Sequence, residues 1–310
     1  MSQYTSKPSE LDEAIKRFNN RTFEKGDILY HYTDFKALEG IIKNKKIWLT
    51  DYRYLNDTSE IHYARDNVIK NIFAFSDEDY KKFIKDIHSE MLKRYPIYLI
   101  SFSEDKNYLP NWRCYADDGK GVCIGFDAKA LQDSISCEKN IGTAAMETVL
   151  EKVKYLNFQN DIDNKSRESF ELFSEFCNKN RNLQSANLAM ANMTIRTLFP
   201  QIKHSCYQEE KEVRFAVSNL DYEKLGPKEL EFKIKYRHNH PNDPFVKSKP
   251  YIEYPIEIDW IKKIWSGPRV HQAHFLQEVK FLLSDESSEN GCKIDIYHST
   301  LPYKNMAKYN

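Results

Sequence analysis

No two of the six cysteines (Cys114, Cys123, Cys137, Cys177, Cys206 and Cys292) stand at CxxC spacing. Their scatter argues against a zinc site and gives no compact disulfide framework, so reduced thiols are expected. Net charge is missing too. The 46 lysines and arginines balance 46 aspartates and glutamates, so no global field draws the chain to nucleic acid or to anionic lipid, and any such binding must be local. No stretch approaches the roughly 18 uninterrupted apolar residues that a membrane helix needs. The first residues, Met1 to Pro8, have no apolar core of signal-peptide length. These absences predict a cytoplasmic protein without membrane contact. Gly119-Lys120-Gly121 lacks the spacing of a dinucleotide-binding glycine loop. His271 and His274 lie three apart on an expected helix, but no acid or cysteine at ligand spacing completes a metal site. Internal repeats and low-complexity tracts are lacking as well.

What remains is a chain of 310 residues, 41% hydrophobic and 14% aromatic, which is enough for a substantial core. Apolar periodicity predicts a leading helix over about 9–19, with Leu11, Ala14, Ile15 and Phe18 on one stripe, then a strand at Ile28–Tyr32. Asp34 reads as the N-cap of a helix carrying Phe35, Leu38, Ile41 and Ile42, and Lys46–Leu49 as a short strand. Asn56–Glu60 reads as a turn feeding a helix to the mid-seventies, and a further helix fits about 77–94. Strands are expected at Pro96–Ser103 and Gly121–Phe126, separated by a loop rich in Trp, Tyr and Asp. The polar stretch of about 160–198 reads as helical, an insertion that covers or flanks the sheet. Strand signals return at 210–218, 230–236, 251–258, 261–265 and 293–297, with a helix at about 269–284. The pattern is α+β: a helical extension over 1–27, one catalytic domain over 28–300 containing the insertion, and a tail over 301–310.

The segment Glu209-Glu210-Lys211-Glu212-Val213-Arg214-Phe215 is the most informative. Alternation along a strand sends Val213, Phe215 and Val217 one way and places Glu210, Glu212 and Arg214 on the other face. Carboxylates two residues apart lie about 7 Å from each other by strand rise, close enough to act on one ligand. The bland alternative is the solvated outer face of an antiparallel sheet, with Arg214 neutralising its neighbours. Two further blocks interrupt apolar strands with polar groups where the chain leaves the sheet: His31-Tyr32-Thr33 and Ser101-Phe102-Ser103. Taken alone, His31 reads as a core histidine satisfied by a carbonyl, and the serines as strand-end caps.

Seven blocks together resemble the bacterial domain of unknown function 2971 family. They are Leu29–Thr33, Tyr52–Glu60, Ser101–Glu104, Trp112–Tyr115, Gly121–Asp127, Glu210–Arg214 and Ser266-Gly267-Pro268. The order His, Ser-x-Ser, Glu-x-Glu on three strand signals is in turn similar to the ADP-ribosyltransferase superfamily. That resemblance implies a split mixed or antiparallel sheet with NAD, as substrate, held in a cleft between two small sheets. It implies that His31 bonds a ribose hydroxyl, that the Tyr32 backbone clamps the nicotinamide amide with Thr33 in support, and that Ser101 or Ser103 supports the pocket. Glu212, with Glu210 beside it, would be the catalytic acid. The acceptor of ADP-ribose would be a protein, DNA or RNA, and the role that of a toxin or anti-phage effector kept in check by an inhibitory partner protein. This chain has Tyr32 where such a His is commonly followed by Gly.

Elementary chemistry fits these assignments. Cleaving the bond between nicotinamide and ribose develops positive charge on the ribosyl ring, which a nearby carboxylate stabilises. Glu210 would orient or deprotonate the nucleophile, and Arg214 would hold Glu212 by a paired hydrogen bond. For the pyrophosphate the candidate cations are Arg53, heading the loop that contains Tyr54 and Asn56, and Arg113 beside Trp112. Tyr54 or Tyr115 would stack on a ring. Trp112 and Tyr115 read equally as packing between lid and core. The rival readings are an NAD glycohydrolase, a non-catalytic module that senses NAD, ADP-ribose or a partner, and a metal-dependent nuclease built on Asp51, Asp57, Asp117 and Asp118. His238-Asn239-His240, among Lys233, Lys235, Arg237, Lys247 and Lys249, is either a solvated loop or a contact for a nucleic acid backbone.

Overall fold

The computed structural model describes residues 10–18, 22–55, 60–73, 76, 78–94, 96–138, 147–157, 162–218, 234–237, 248–290 and 293–303. The chain opens with α1 (Glu10–Phe18), β1 (Ile28–Thr33), α2 (Phe35–Asn44), β2 (Lys46–Asp51), α3 (Glu60–Ile72), α4 (Glu78–Arg94) and β3 (Ile97–Ser103). Next come α5 (Leu109–Tyr115), β4 (Val122–Asp127), α6 (Ala128–Glu138), β5 (Glu147–Lys152), β6 (Lys154–Leu156), α7 (Asn164–Asn180) and α8 (Gln184–Met193). It closes with β7 (Ile202–His204), β8 (Glu212–Ser218), β9 (Lys235–Arg237), β10 (Lys249–Pro255), β11 (Ile261–Ser266), α9 (Gln272–Asn290) and β12 (Asp295–His298). The expected α+β class is observed, with a mostly antiparallel sheet. The supposed loop after β3 instead contains α5, started by Pro110 near its first turn, where the missing N–H costs nothing. Asp34 caps α2 as expected, its carboxylate accepting the Ala37 N–H at 2.7 Å.

Among the described residues the main sheet has ten strands, and β3 is where it forks. Along one edge β3 pairs with β8 for its whole length, Ile97 opposite Ser218 through Ser103 opposite Glu212. Its other edge is shared. Leu99 and Tyr98 pair with Thr50 and Asp51 of β2, whereas Ser103 pairs with Tyr30 of β1. One wing then runs β1-β4-β11-β12 and the other β2-β10-β9. Between the wings, part of the β3 edge has no strand beside it among the described residues.

Each face of the sheet carries its own core. On one side Val213, Phe215, Tyr98, Ile100 and Phe102 pack with Leu38 and Ile42 of α2, Leu131 of α6 and Val279 of α9. On the other, Ile97, Leu99 and Ala216 meet Phe18 of α1, Ile61 of α3, Ile84 of α4, Phe173 of α7 and Met190 of α8. The polar stretch expected to cover the sheet does so, and α1 packs on it through Phe18 and Phe170, whose ring centroids are 6.0 Å apart. Two glycines of the blocks quoted above have a packing reason. A Cβ on Gly121 would stand 2.3 Å from the Thr33 carbonyl oxygen, and one on Gly267 would stand 2.2 Å from that of Gly119.

The helical layer holds one buried imidazole. His88 Nδ1 lies 2.8 Å from the Ile84 carbonyl and Nε2 lies 2.7 Å from Thr194 Oγ1, where a single π-helical turn, Thr194–Leu198, begins. Burial holds the His88 pKa down at about 4. Because the folded value is the lower one, the stability tied to neutral His88 is complete above the unfolded value and is lost as pH falls from about 6.5 towards 4. Glu151 works in the opposite direction: burial raises its carboxyl to about 7, so folding gains from its protonation over the same range. Comparison with His88→Gln therefore isolates the histidine. In urea titrations at pH 7 and 4.5, wild type is expected to lose about 2–3 kcal/mol more than the variant.

Candidate active site at the fork of the sheet

Glu212 opens β8 with its side chain on the helical face, as alternation requires, and β3 places Ser101 within reach. Ser101 Oγ donates to Glu212 Oε1 at 2.5 Å. Arg214, two residues along the same face, grips the carboxylate with both arms, Nε to Oε1 at 2.8 Å and Nη2 to Oε2 at 3.0 Å. This is the paired hydrogen bond expected from the sequence. The alternative of a solvated outer face is not found: every residue of β8 is buried.

Two residues not assigned to the site from sequence complete the cluster. Lys203 arrives on the short strand β7, which the π-helical turn and the one-turn 3-10 helix Phe199–Gln201 lead into. Its Nζ reaches Glu210 Oε2 at 2.6 Å, Glu60 Oε1 at 2.8 Å and Glu212 Oε2 at 3.3 Å. Glu60, in the first turn of α3, also binds Arg214 Nη2, while Arg214 Nη1 donates to the Pro200 carbonyl at 3.0 Å. Glu60 ends the quoted Tyr52–Glu60 block, which was the one sequence signal for it; Lys203 had none. Three carboxylates thus share two cations, leaving one negative charge in excess.

Glu210 is not on the strand. It ends the 3-10 stretch Ser205–Glu210, and Lys211 behind it adopts a left-handed conformation with φ 46°. The two glutamates therefore meet through Lys203 and not by strand alternation. Their protonation differs accordingly. Burial pushes the Glu212 carboxyl up, but Arg214 and Lys203 overcome it and hold the group at about 2. Glu210 is displaced above its ordinary value by burial, against the pull of Lys203. The Tyr155 hydroxyl accepts the Glu212 N–H at 2.7 Å. Tyr115, at the end of α5, keeps part of its side chain exposed, while burial of the rest and the charge of Glu210 push its phenol up to about 12.

His31 reaches this cluster through the backbone. Its Nδ1 lies 3.0 Å from the Ser101 carbonyl on the β3 edge left open by the fork, and its ring packs edge-on against Phe102 at 5.8 Å. Burial lowers its pKa, so a neutral ring donating from Nδ1 keeps Nε2 as an acceptor. By register His31 belongs with the Phe102 face, opposite the Glu212 carboxylate.

Other expected site residues are engaged elsewhere. Ser103 Oγ donates to the Glu210 carbonyl at 2.7 Å and accepts the Asp105 N–H at 3.0 Å, tying the ends of β3 and β8 together. Tyr32 is buried, its hydroxyl donating to the Asp105 carbonyl at 2.7 Å, and Thr33 pairs with Val122 in the β1–β4 ladder. Trp112 is fully buried edge-on to Tyr32 at 5.0 Å, so packing and not ligand contact is its role. Arg53 is closed on Asp51, with Nε 2.9 Å from Oδ1, beyond the β2 end of β3 and away from Ser101; it is not a free pyrophosphate cation. Arg113 is exposed, 4.0 Å from Asp118, beside a shallow surface hollow that Leu109, Pro110 and Cys114 also line. Tyr54 is half-buried in the one-turn helix Tyr52–Tyr54, and Asn56, like Asp57 and His238–His240, lies outside the described residues. No group of three metal-ligating side chains occurs among the described residues, and none of their helices is long and apolar enough to cross a membrane.

An α+β protein with a forked sheet and a buried carboxylate cluster is the class this geometry defines. Residues 111–215, from α5 through most of β8, match the family model described as Protein of unknown function (DUF2971), the family the sequence blocks resemble. The matched segment holds Lys203, Glu210, Glu212 and Arg214, and leaves out His31, Glu60 and Ser101. No curated protein and no solved structure matches the chain.

Proposed function

We propose that the chain is an NAD-dependent ADP-ribosyltransferase acting at the fork, with Glu212 as the anion that stabilises the ribosyl cation and Glu210 as the base. One observation carries this reading: Ser101 joins all three polar blocks, its hydroxyl on Glu212 and its carbonyl on His31. A forked sheet supports it, since two wings parting at β3 are what a cleft between small sheets requires. In the reaction the C–N bond between ribose and nicotinamide breaks, and the electron pair leaves with nicotinamide. The ribosyl cation then takes a nucleophile whose proton passes to Glu210. Glu212, ionised over the whole working range, opposes the developing positive charge. His31, on the opposite face, would act as a positioning residue, holding through its bond to the Ser101 carbonyl the serine whose hydroxyl meets Glu212. A carboxyl raised above its ordinary value suits Glu210 to proton transfer nearer neutrality.

A second reading is a non-catalytic module that binds NAD or an ADP-ribose-like ligand. What favours it is the closure of Glu212, which is only 6% exposed and is held by Ser101, Arg214 and Lys203. The two part in one experiment: purified protein with labelled NAD, following nicotinamide release and label transfer to lysate macromolecules. Release that rises with pH along a limb displaced above the ordinary carboxylate range, and that loses this limb in Glu210→Gln, is the expected result. NAD binding without release in the wild type would select the binding module, and no binding would overturn both.

A further inference from the structure

The outer wing of the sheet carries a surface that the catalytic reading does not use. In the β2–β10 ladder Trp48 stands opposite Glu253, Thr50 opposite Tyr251 and Lys46 opposite Pro255. In the β10–β9 ladder Lys235 stands opposite Tyr251 and Arg237 opposite Lys249. Opposed residues share a face and alternate residues return to it, so these side chains form one surface, while Ile47, Leu49, Ile252 and Tyr254 point into the core. Trp48 lies over Tyr251, with ring centroids 4.3 Å apart and planes 30° apart; Tyr251 is buried beneath it and the indole is 41% exposed.

The charge here is unbalanced. Glu253 answers Lys46 at 3.0 Å and Lys235 at 2.8 Å. Arg237 and Lys249 face each other with no carboxylate partner among the described residues, and the Arg237 Nε is buried with no acceptor. Like charges directly opposed in a sheet cost stability, and so does a buried donor left unpaired; a bound anion would relieve both. Burial and then the Arg237 charge depress the Lys249 pKa.

An exposed indole plane bordered by cations that have no carboxylate partner among the described residues is a stacking platform beside a phosphate track. We propose that the β2–β10–β9 face binds single-stranded nucleic acid, with a base stacked on Trp48 and phosphates on Arg237 and Lys249. A duplex keeps its base faces hidden, and an acidic peptide would use the cations but not the indole plane. The face also leads to the site. Thr50 is opposite Leu99, so this surface lies on the side of β3 that carries Ser101 and Glu212, and Trp48 is two residues nearer the fork. That the bound strand is the acceptor of ADP-ribose rests on the function proposed above; the binding surface does not.

The test is fluorescence anisotropy of labelled oligothymidylate and oligouridylate with the full chain, without NAD, repeated in the Glu212→Gln protein. The expected result is salt-sensitive binding that Trp48→Ala weakens about tenfold and Trp48→Phe largely restores. Arg237→Ser with Lys249→Ser should lower the slope of log affinity against log salt by about 1.4, or roughly 0.7 for each phosphate no longer neutralised. Thermal melts showing these surface variants folded keep the comparison valid. Absence of binding at low salt, binding indifferent to the variants, or displacement by polyglutamate as effective as by unlabelled oligonucleotide would overturn the surface. Oligonucleotide binding without nicotinamide release would leave this surface standing and remove the enzyme reading; release without binding would do the reverse.

Discussion

Arg214→Ala is expected to destabilise the protein by about 3–5 kcal/mol, the usual result of removing one partner from a buried ion cluster. With Arg214 gone, Glu60, Glu210 and Glu212 would share Lys203 alone, and the buried excess would grow from one negative charge to two. The Pro200 carbonyl would lose its donor as well. Against a total stability of about 5–15 kcal/mol for a typical domain, this is a large fraction. Urea unfolding reads it directly. Arg214→Lys should recover little, because an ammonium cannot reproduce the paired grip on Glu212 while also reaching Glu60. The double variant with Glu60→Gln should cost less than the two single changes added together, since one half of the imbalance is then removed. A cost under about 1 kcal/mol for Arg214→Ala would mean that the cluster is not closed to water as described.

Glu212→Gln should act mainly on the chemistry: a large loss of activity, with a cost in stability because its NH2 replaces an oxygen that accepts from Arg214 and from Ser101 or Lys203. The amide keeps the shape of the carboxylate, and removing its charge brings the cluster to two acids and two bases. Under the proposed mechanism, what disappears is the anion that would face the ribosyl cation. Preorganised electrostatic groups of this kind are worth about 3–4 kcal/mol in the transition state, so nicotinamide release should fall by roughly two to three orders of magnitude. The measurement is kcat for release, alongside NAD affinity by calorimetry. A fall in kcat with affinity held within about threefold marks a residue acting on the transition state. Unchanged kcat would remove Glu212 from the chemistry and leave it a structural acid.

The sequence made the faces legible where a strand is regular. Val213 and Phe215 do point into one core while Glu212 and Arg214 share the other face, because alternation is imposed by the pleat. The same reasoning failed two residues earlier. Extrapolating the strand back to Glu210 ignored Lys211, whose left-handed conformation ends the strand and is rarely announced by a lysine. Lys203 was illegible for another reason: its place is set by the turns after α8 and by carboxylates from two other segments, and no local spacing encodes that. Trp112 and Arg53 show the limit of residue-type reasoning. An aromatic and a cation suited to NAD were consumed by other partners: Tyr32, which the fold brings to Trp112, and Asp51, which stands two residues before Arg53. For His31 the structure bears out the carbonyl-satisfied histidine, and that carbonyl belongs to Ser101.

The fork also has a mechanical meaning. The β1 wing joins β3 by the single register pair Tyr30–Ser103, and the β2 wing by two, Thr50–Leu99 and Asp51–Tyr98. A sheet resists twisting in proportion to the ladder that ties its strands, so the line past Ser101 is where the two wings can turn most cheaply about β3 as a common spine. A molecule seated there would act as a strut between them, and rigidity at one wing would be felt at the other.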